Sequence, residues 1–416
     1  MVLSRKTPLF IFCLLIIGLA SCKKAKTVTP APAPGKTLVL NSFEQQKVTA
    51  DNAFTLRLFK SLDSANGTSQ NIFTSPLSVS FALGMTANGA NGATLTAFKN
   101  TLNFAGLSQT QVNDYYNNLI TNLPQLDPNT TLDIANSIWY RQGFSVLPQF
   151  LQTDSNYFHA RVQSLDFGSA AAPGTINSWV SKNTAGYIPA IINNIPGNAV
   201  MYLVNAIYFK SVWKEKFDPA QTKPASFYLP DNSTVQTSFM SGYVDFNYYA
   251  DSKASVYELP YSNSKYSMII VEPALGTSTS SLETSIDPAQ WQTWMSNLRP
   301  TNNLITLPKF KFSYGNIING SLANMGLGIA FSDDADFSLI NPSTKLKISQ
   351  VVHKAYVETD ESGTTAAAAT SVGVVTSVAQ EPLPPINRPF IFAIREMSSG
   401  IILFVGTVNN PTLSGN

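Results

Sequence analysis

The run from Ala199 to Trp213, AVMYLVNAIYFKSVW, carries one charge, Lys210, and is dense in branched and aromatic residues. A half-exposed strand would alternate polar with apolar; this one does not, so it reads as a strand covered on both faces. Other segments fall into place around it. Val48, Phe54, Leu58 and Leu62 recur at helical spacing, and NIFTSPLSVSFALGMTANGA reads as a short strand ending at Pro76 followed by a helix rich in small residues. TLDIANSIWYRQ alternates as a strand does, and TINSWVSKNTAGYI predicts a helix stopped by Gly186. SVYELPYSNSKYSMIIVEP predicts two strands around a polar turn, LITLPKFKFSYG one strand, and RPFIFAIREMSSGIILFVGTV a hairpin turning at Ser398, Ser399 and Gly400. Helices dominate the first part and strands the second, which is an α+β pattern. No repeat and no second linker divides residues 41–416, so they are expected to form one domain.

Several chemistries are excluded. Charged residues make up 12% of the chain and the net charge is +2, with no basic run, which argues against a nucleic-acid partner. The two cysteines, Cys13 and Cys22, both precede the domain, leaving it without disulfides or cysteine metal sites. With only His159 and His353, no histidine-rich metal centre can form. His353 lies in an apolar strand, ISQVVHKAYVE, where a buried, hydrogen-bonded histidine is the better reading than a general base; His159 reads as a surface or packing residue. Neither a phosphate loop nor a G-x-S-x-G elbow is present. GMTANGANG reads as a helix end and turn, and Asp333 to Asp336 as a solvated acidic loop lacking calcium-loop spacing. The expectation is a chain that is not an enzyme and uses no metal or cofactor.

The N-terminus reads as an export signal. Arg5 and Lys6 precede an apolar run from Leu9 to Leu19, too short to span a bilayer. The run ends in Leu19-Ala20-Ser21-Cys22, which resembles a bacterial lipobox; this implies a signal peptide over 1–21 and lipid on Cys22, against the alternative of ordinary cleavage after a small residue. Residues 22–40 read as a polar, proline-rich tether. The chain is therefore expected to sit at the cell envelope, held to the membrane through Cys22.

One stretch fits neither helix nor strand. ESGTTAAAATSVGVVTSVAQ, Glu361 to Gln380, opens with helix-forming alanines, continues with β-branched residues, and is followed by Pro382, Pro384 and Pro385. No proline and no charge occurs between Glu361 and Glu381.

NIFTSPLSVSFAL, VNAIYFKSVW, LPKFKFSYG, VVHKAYVETDESGTTAAAAT and NRPFIFAIRE together resemble the serpin family, in family order and spacing, from about Ala53 to Pro411. The resemblance implies a serpin fold of three β-sheets and about nine helices, a monomer, and suicide inhibition of a target serine protease; some members inhibit cysteine proteases. It makes residues 361–385 the reactive loop, which after cleavage inserts as a new central strand of the main sheet. The composition suits insertion, because a proline would remove a ladder hydrogen bond and a charge facing the core would be costly. Side chains alternate along a strand, so if Thr364 faces inward, so do Ala366, Ala368, Thr370 and Val372. The hinge comprises Glu361, Gly363, Thr364 and Ala366, Ala367, Ala368 and Ala369, with Gly363 as its permissive residue.

By the same resemblance Ser75, Pro76, Ser78, Asn205 and His353 belong to the shutter, where strands of the main sheet must part, and Trp213 to the breach, where the loop first enters. Thr365 departs from the family, many inhibitory members of which have Glu there. The loop is also about one residue long. Counting forward from Glu361 puts the reactive bond after Ser377, counting back from Asn387 after Val378; hinge length favours Ser377–Val378. The small, uncharged residues around it point to elastase-like or subtilisin-like proteases, since a trypsin-like pocket needs Arg or Lys. The alternatives are a non-inhibitory serpin acting as carrier or binding module, and a surface enzyme or glycan-binding lipoprotein.

Overall fold

A computed structural model describes Met1 and residues 35–67, 70–364 and 381–415. Residues 33–416 form one compact unit. Its helices are α1 (Ser42–Asn66), α2 (Pro76–Asn88), α3 (Gly92–Thr101), α4 (Gln109–Asn122), α5 (Pro148–Phe158), α6 (Ala172–Asn183), α7 (Thr279–Ser285), α8 (Pro288–Asn297) and α9 (Asn319–Leu322). The strands are β1 (Ile72–Thr74), β2 (Thr131–Arg141), β3 (Arg161–Leu165), β4 (Met201–Val212), β5 (Lys223–Tyr228), β6 (Thr234–Ala250) and β7 (Ala254–Pro260). They continue with β8 (Tyr266–Pro273), β9 (Arg299–Pro308), β10 (Phe310–Ile317), β11 (Val352–Asp360), β12 (Gly363–Thr364), β13 (Phe390–Glu396) and β14 (Ile402–Val408). Helices gather in the first half and strands in the second, so the class is α+β.

The strands make three sheets, two of them joined. The main sheet runs β10-β11-β12-β4-β2-β3. A second runs β1-β14-β13-β8-β7-β6, and the long β6 continues into a third, pairing β5 on one edge and β9 on the other. The expected single strand LITLPKFKFSYG is two. The chain breaks at Pro308, which has no N–H to donate to a ladder, and passes from β9, paired with β6, to β10, paired with β11 in the main sheet. Lys309 occupies that crossing.

Local chemistry starts the helices. Asn41 and Glu44 close a reciprocal capping box on α1. Ser75 caps α2, with Pro76 at its first position, where a missing N–H costs nothing. Helix α2 is buried nearly all round. A Cβ on Gly84 would come within 2.7 Å of the Tyr116 ring, so a side chain there would force α2 away from α4. Strand β4 is covered on both sides, as its composition demands: Tyr202, Val204 and Ala206 pack with α6 residues Ile176 and Val180, while Ile207 and Phe209 join the main core. Met201, Leu203 and Asn205 on that core face are only half-buried, because the sheet is open there.

Candidate functional site

Gly363 and Thr364 form a two-residue strand wedged between β11 and β4, Thr364 lying opposite both Thr359 and Ser211. Among the described residues β12 is the only backbone bridge between those strands. Gly363 has φ +151°, and a Cβ there would lie 2.1 Å from the Ser211 carbonyl oxygen, so only glycine fits. Thr364 points into the core, 2% exposed, its hydroxyl 2.6 Å from that of Tyr261.

The preceding residues are fastened on every side. The Trp213 backbone N–H donates to Ser362 O (2.9 Å), its indole N–H donates to Asp360 O (2.8 Å), and its ring stacks on Tyr261 at 4.6 Å. Asp360 accepts from the N–H groups of Ser362 and Gly363. Glu361 pairs with Lys309 at 2.8 Å and accepts from the Thr222 hydroxyl at 2.6 Å. Burial pushes the Glu361 carboxyl upward, but these two donors outweigh burial and hold it below the ordinary value.

Beneath β12 the strands part over a polar cluster. The Ser75 hydroxyl donates to Leu403 O (2.7 Å) and accepts from the Ser78 N–H (3.2 Å), while the Ser75 N–H donates to His353 Nε2 (3.1 Å). That bond requires Nε2 to be unprotonated, and burial lowers the His353 imidazole to about 4, so it is neutral at physiological pH. The Ser78 hydroxyl donates to Asn205 Oδ1, and Asn205 Nδ2 donates to Asn136 Oδ1 (2.7 Å) across β4 and β2. A cavity of about 400 Å³ opens here, lined by Ser78, Leu83, Leu203, Asn205, Ile348 and His353 among others.

The structure thus brings Ser75, Pro76, Ser78, Asn205 and His353 together under the parted strands, and Glu361, Gly363, Thr364 and Trp213 together at their top. Ala366, Ala367, Ala368, Ala369, Ser377, Val378 and Cys22 lie outside the described residues. Tyr261, Lys309, Thr222 and Asn136 are partners that the sequence alone does not single out. Lys309 stands inside a motif already recognised; the others carry no local signal, since each acts on a residue distant in the chain. Among the described residues no cluster of His, Cys, Asp or Glu could hold a metal ion, and no helix is long and apolar enough to cross a membrane.

The family model described as serpin (serine protease inhibitor) matches residues 49–411. A leukocyte elastase inhibitor of Xenopus laevis is 34% identical over 86% of this chain and 97% of its own. Iripin-2 of Ixodes ricinus is 33% identical over 88% and 94%. Among solved structures, native tengpin, a thermophilic serpin, superposes with TM-score 0.79 at 30% identity, covering 91% of this chain and 97% of its own. Human thyroxine-binding globulin complexed with thyroxine gives 0.81 at 30%, covering 89% and 100%. The chain belongs to the serpin family.

Proposed function

We propose that the protein is a suicide-type inhibitor of serine proteases, cleaved in its loop and trapping the acylated protease by inserting that loop between β4 and β11. One observation carries this reading: Gly363 and Thr364 already pair with both strands, and below them, among the described residues, β4 and β11 do not pair with each other and a cavity opens beside them. A chain extended from β12 finds an unused hydrogen-bonding edge on each side. The residues that follow supply no proline and no charge before Glu381. Ser377–Val378 is the proposed reactive bond. Its small, uncharged surroundings suit the shallow pocket of an elastase-like or broad subtilisin-like protease, and the Xenopus relative bears the name of an elastase inhibitor.

Cys22, by its lipobox position, is proposed as the mature first residue and lipid anchor, with 22–40 as the tether of one monomeric inhibitory domain at the envelope. A Cys22→Ala variant that fractionates with membranes as the parent does would remove the anchor from this account.

Incubation with elastase-like, subtilisin-like and trypsin-like proteases tests the function. The expected result is an SDS-stable covalent complex with the first two and none with trypsin. Mass spectrometry of the released C-terminal fragment should find it beginning at Val378; a start outside Thr376 to Gln380 refutes the assigned bond. Cleavage of the loop by every protease without a complex would favour the carrier reading, of which thyroxine-binding globulin is a structural neighbour.

A further inference from the structure

Beyond α6 the chain lays one side chain across the front of the parted strands. The Tyr187 ring stacks on Tyr208 of β4, at 5.5 Å between centroids and 12° between planes. It stacks also on Tyr356 of β11, at 4.5 Å and 24°. Where the backbones of β4 and β11 do not pair, a ring from a third element joins them. The support of Tyr187 is itself specific. Helix α6 ends at Asn183 rather than at the expected Gly186; Ala185 (φ +48°) and Gly186 (φ +83°) turn the chain through two left-handed residues, and the Tyr187 N–H donates to Thr184 O at 2.9 Å. Thr184 is fully buried, donating its hydroxyl to Val180 O and accepting from the Ile188 N–H. Tyr356 is pinned from the other side, its hydroxyl donating to Glu358 at 2.6 Å.

The register says what this ring obstructs. Thr364 stands opposite Ser211 and Thr359. A strand continuing from it brings its third further residue opposite Tyr208 and Tyr356 at once. Directly opposed residues point to one face, so that residue's side chain emerges between the two tyrosines, where Tyr187 now bridges them. The sequence has alanine, Ala367, at that position.

We propose that Tyr187, Tyr208 and Tyr356 form an aromatic latch that holds β4 and β11 together in front of the slot, and that Tyr187 must leave the stack before a strand passes the position of Ala367. The latch slows insertion in the uncleaved chain. The inference rests on the insertion reading above but is tested separately from it. Tyr187 acts through β4 and β11, whose tyrosines it bridges, and is therefore a positioning residue.

The test measures how fast the full chain takes up a synthetic, fluorescently labelled peptide of residues 364–376, a strand-forming probe of the slot that needs no protease. Tyr187→Ala is expected to speed uptake roughly tenfold to a hundredfold, since two aromatic contacts are lost. Tyr187→Phe, which keeps the stack and loses only the hydroxyl hydrogen bond with Tyr208, should stay much closer to the parent than Tyr187→Ala. Tyr356→Ala should speed uptake as well, and the double variant should add little to either single change, because both break one unit. Unchanged uptake in both alanine variants, or strictly additive effects in the double variant, overturns the latch. If the alanine variants are faster as expected but the parent forms no covalent complex with any protease, the latch stands and the inhibitory reading fails.

Discussion

His353 and Asp154 are both buried titratable side chains, and they respond to pH in opposite directions. His353 is neutral in the native state, its imidazole lowered to about 4 by burial, against an ordinary value of 6.5. Between those values the unfolded chain binds a proton that the native chain does not, so stability is present above pH 6.5 and lost as pH falls toward 4. The gap is worth about 3 kcal/mol. A His353→Gln variant, measured by urea unfolding from pH 7 to pH 4, should lose this part of the slope while being less stable at pH 7 through its imperfect acceptor for the Ser75 N–H; an unaltered slope would assign the acid sensitivity elsewhere. Asp154 is raised well above its ordinary value by burial, only partly countered by the Asn88 donor at 2.7 Å. Its contribution is therefore full below about pH 3.9 and lost as pH rises. Its Oδ2 has no partner, nor have Gln109 Oε1 and Asn113 Oδ1 in the same cluster around Asn88. Asp154→Asn removes a carboxyl whose charging burial opposes and brings N–H donors to a group short of them. It should raise the melting temperature at pH 8, and a lower one would mean that the carboxylate is compensated.

At the scale of elements, β12, two residues long among the described residues, is the most consequential. Thr364→Arg would place a charge in the core beside Tyr261, where it has no partner and where burial is costly. The expected outcome is expulsion of β12, a rise in the moles of inhibitor consumed per protease trapped, and a change in emission from Trp213, whose N–H groups hold Ser362 and Asp360. Unchanged stoichiometry would sink insertion as the mechanism. Element legibility followed the strength of local constraint. β4, β13 and β14 were readable because their apolar runs are dense in branched and aromatic residues, which favour a covered strand, and α2 because a stretch rich in small residues follows Pro76. The break between β9 and β10 was missed although it leaves a mark: the inward positions change from Ile305 and Leu307 to Phe310 and Phe312, a one-residue shift of the alternation at Pro308 and Lys309. Gly363 and Thr364 stood out in the sequence, whereas the residues that fasten this segment, Tyr261, Lys309 and Thr222, did not. Each of these acts through a contact made by folding, and no periodicity records such a partner. Tyr187 was hidden for the same reason: it lies beyond a helix end, and its stacking partners belong to two strands of the main sheet.

For the whole molecule, the proposed mechanism requires that the sheet be short of its best pairing before cleavage. Among the described residues the backbone edges of β4 and β11 below Ser211 and Thr359 share no ladder, and half-buried Met201 and Leu203 line the cavity there. Unpaired backbone groups and partly covered apolar side chains are both costs that an added strand removes. On the proposed mechanism, a loop held at both ends, at Thr364 and at the segment leading into β13, would not supply that strand in full. Cutting it anywhere near Ser377 frees one end. The inserted strand would alternate Ala366, Ala368, Thr370 and Val372 toward the core with smaller or more polar residues toward α6, matching what each face of the sheet can accept. Cleavage should therefore raise thermal stability, and a gain of about 5 kcal/mol would move the midpoint by roughly 5–10 °C in a chain of this size. The measurement is a melting curve of the full chain before and after limited proteolysis at the loop, with the cut confirmed by mass. A cleaved protein that melts with the intact one would show that the slot does not receive the loop, and would turn the reading toward a carrier whose open sheet serves another purpose.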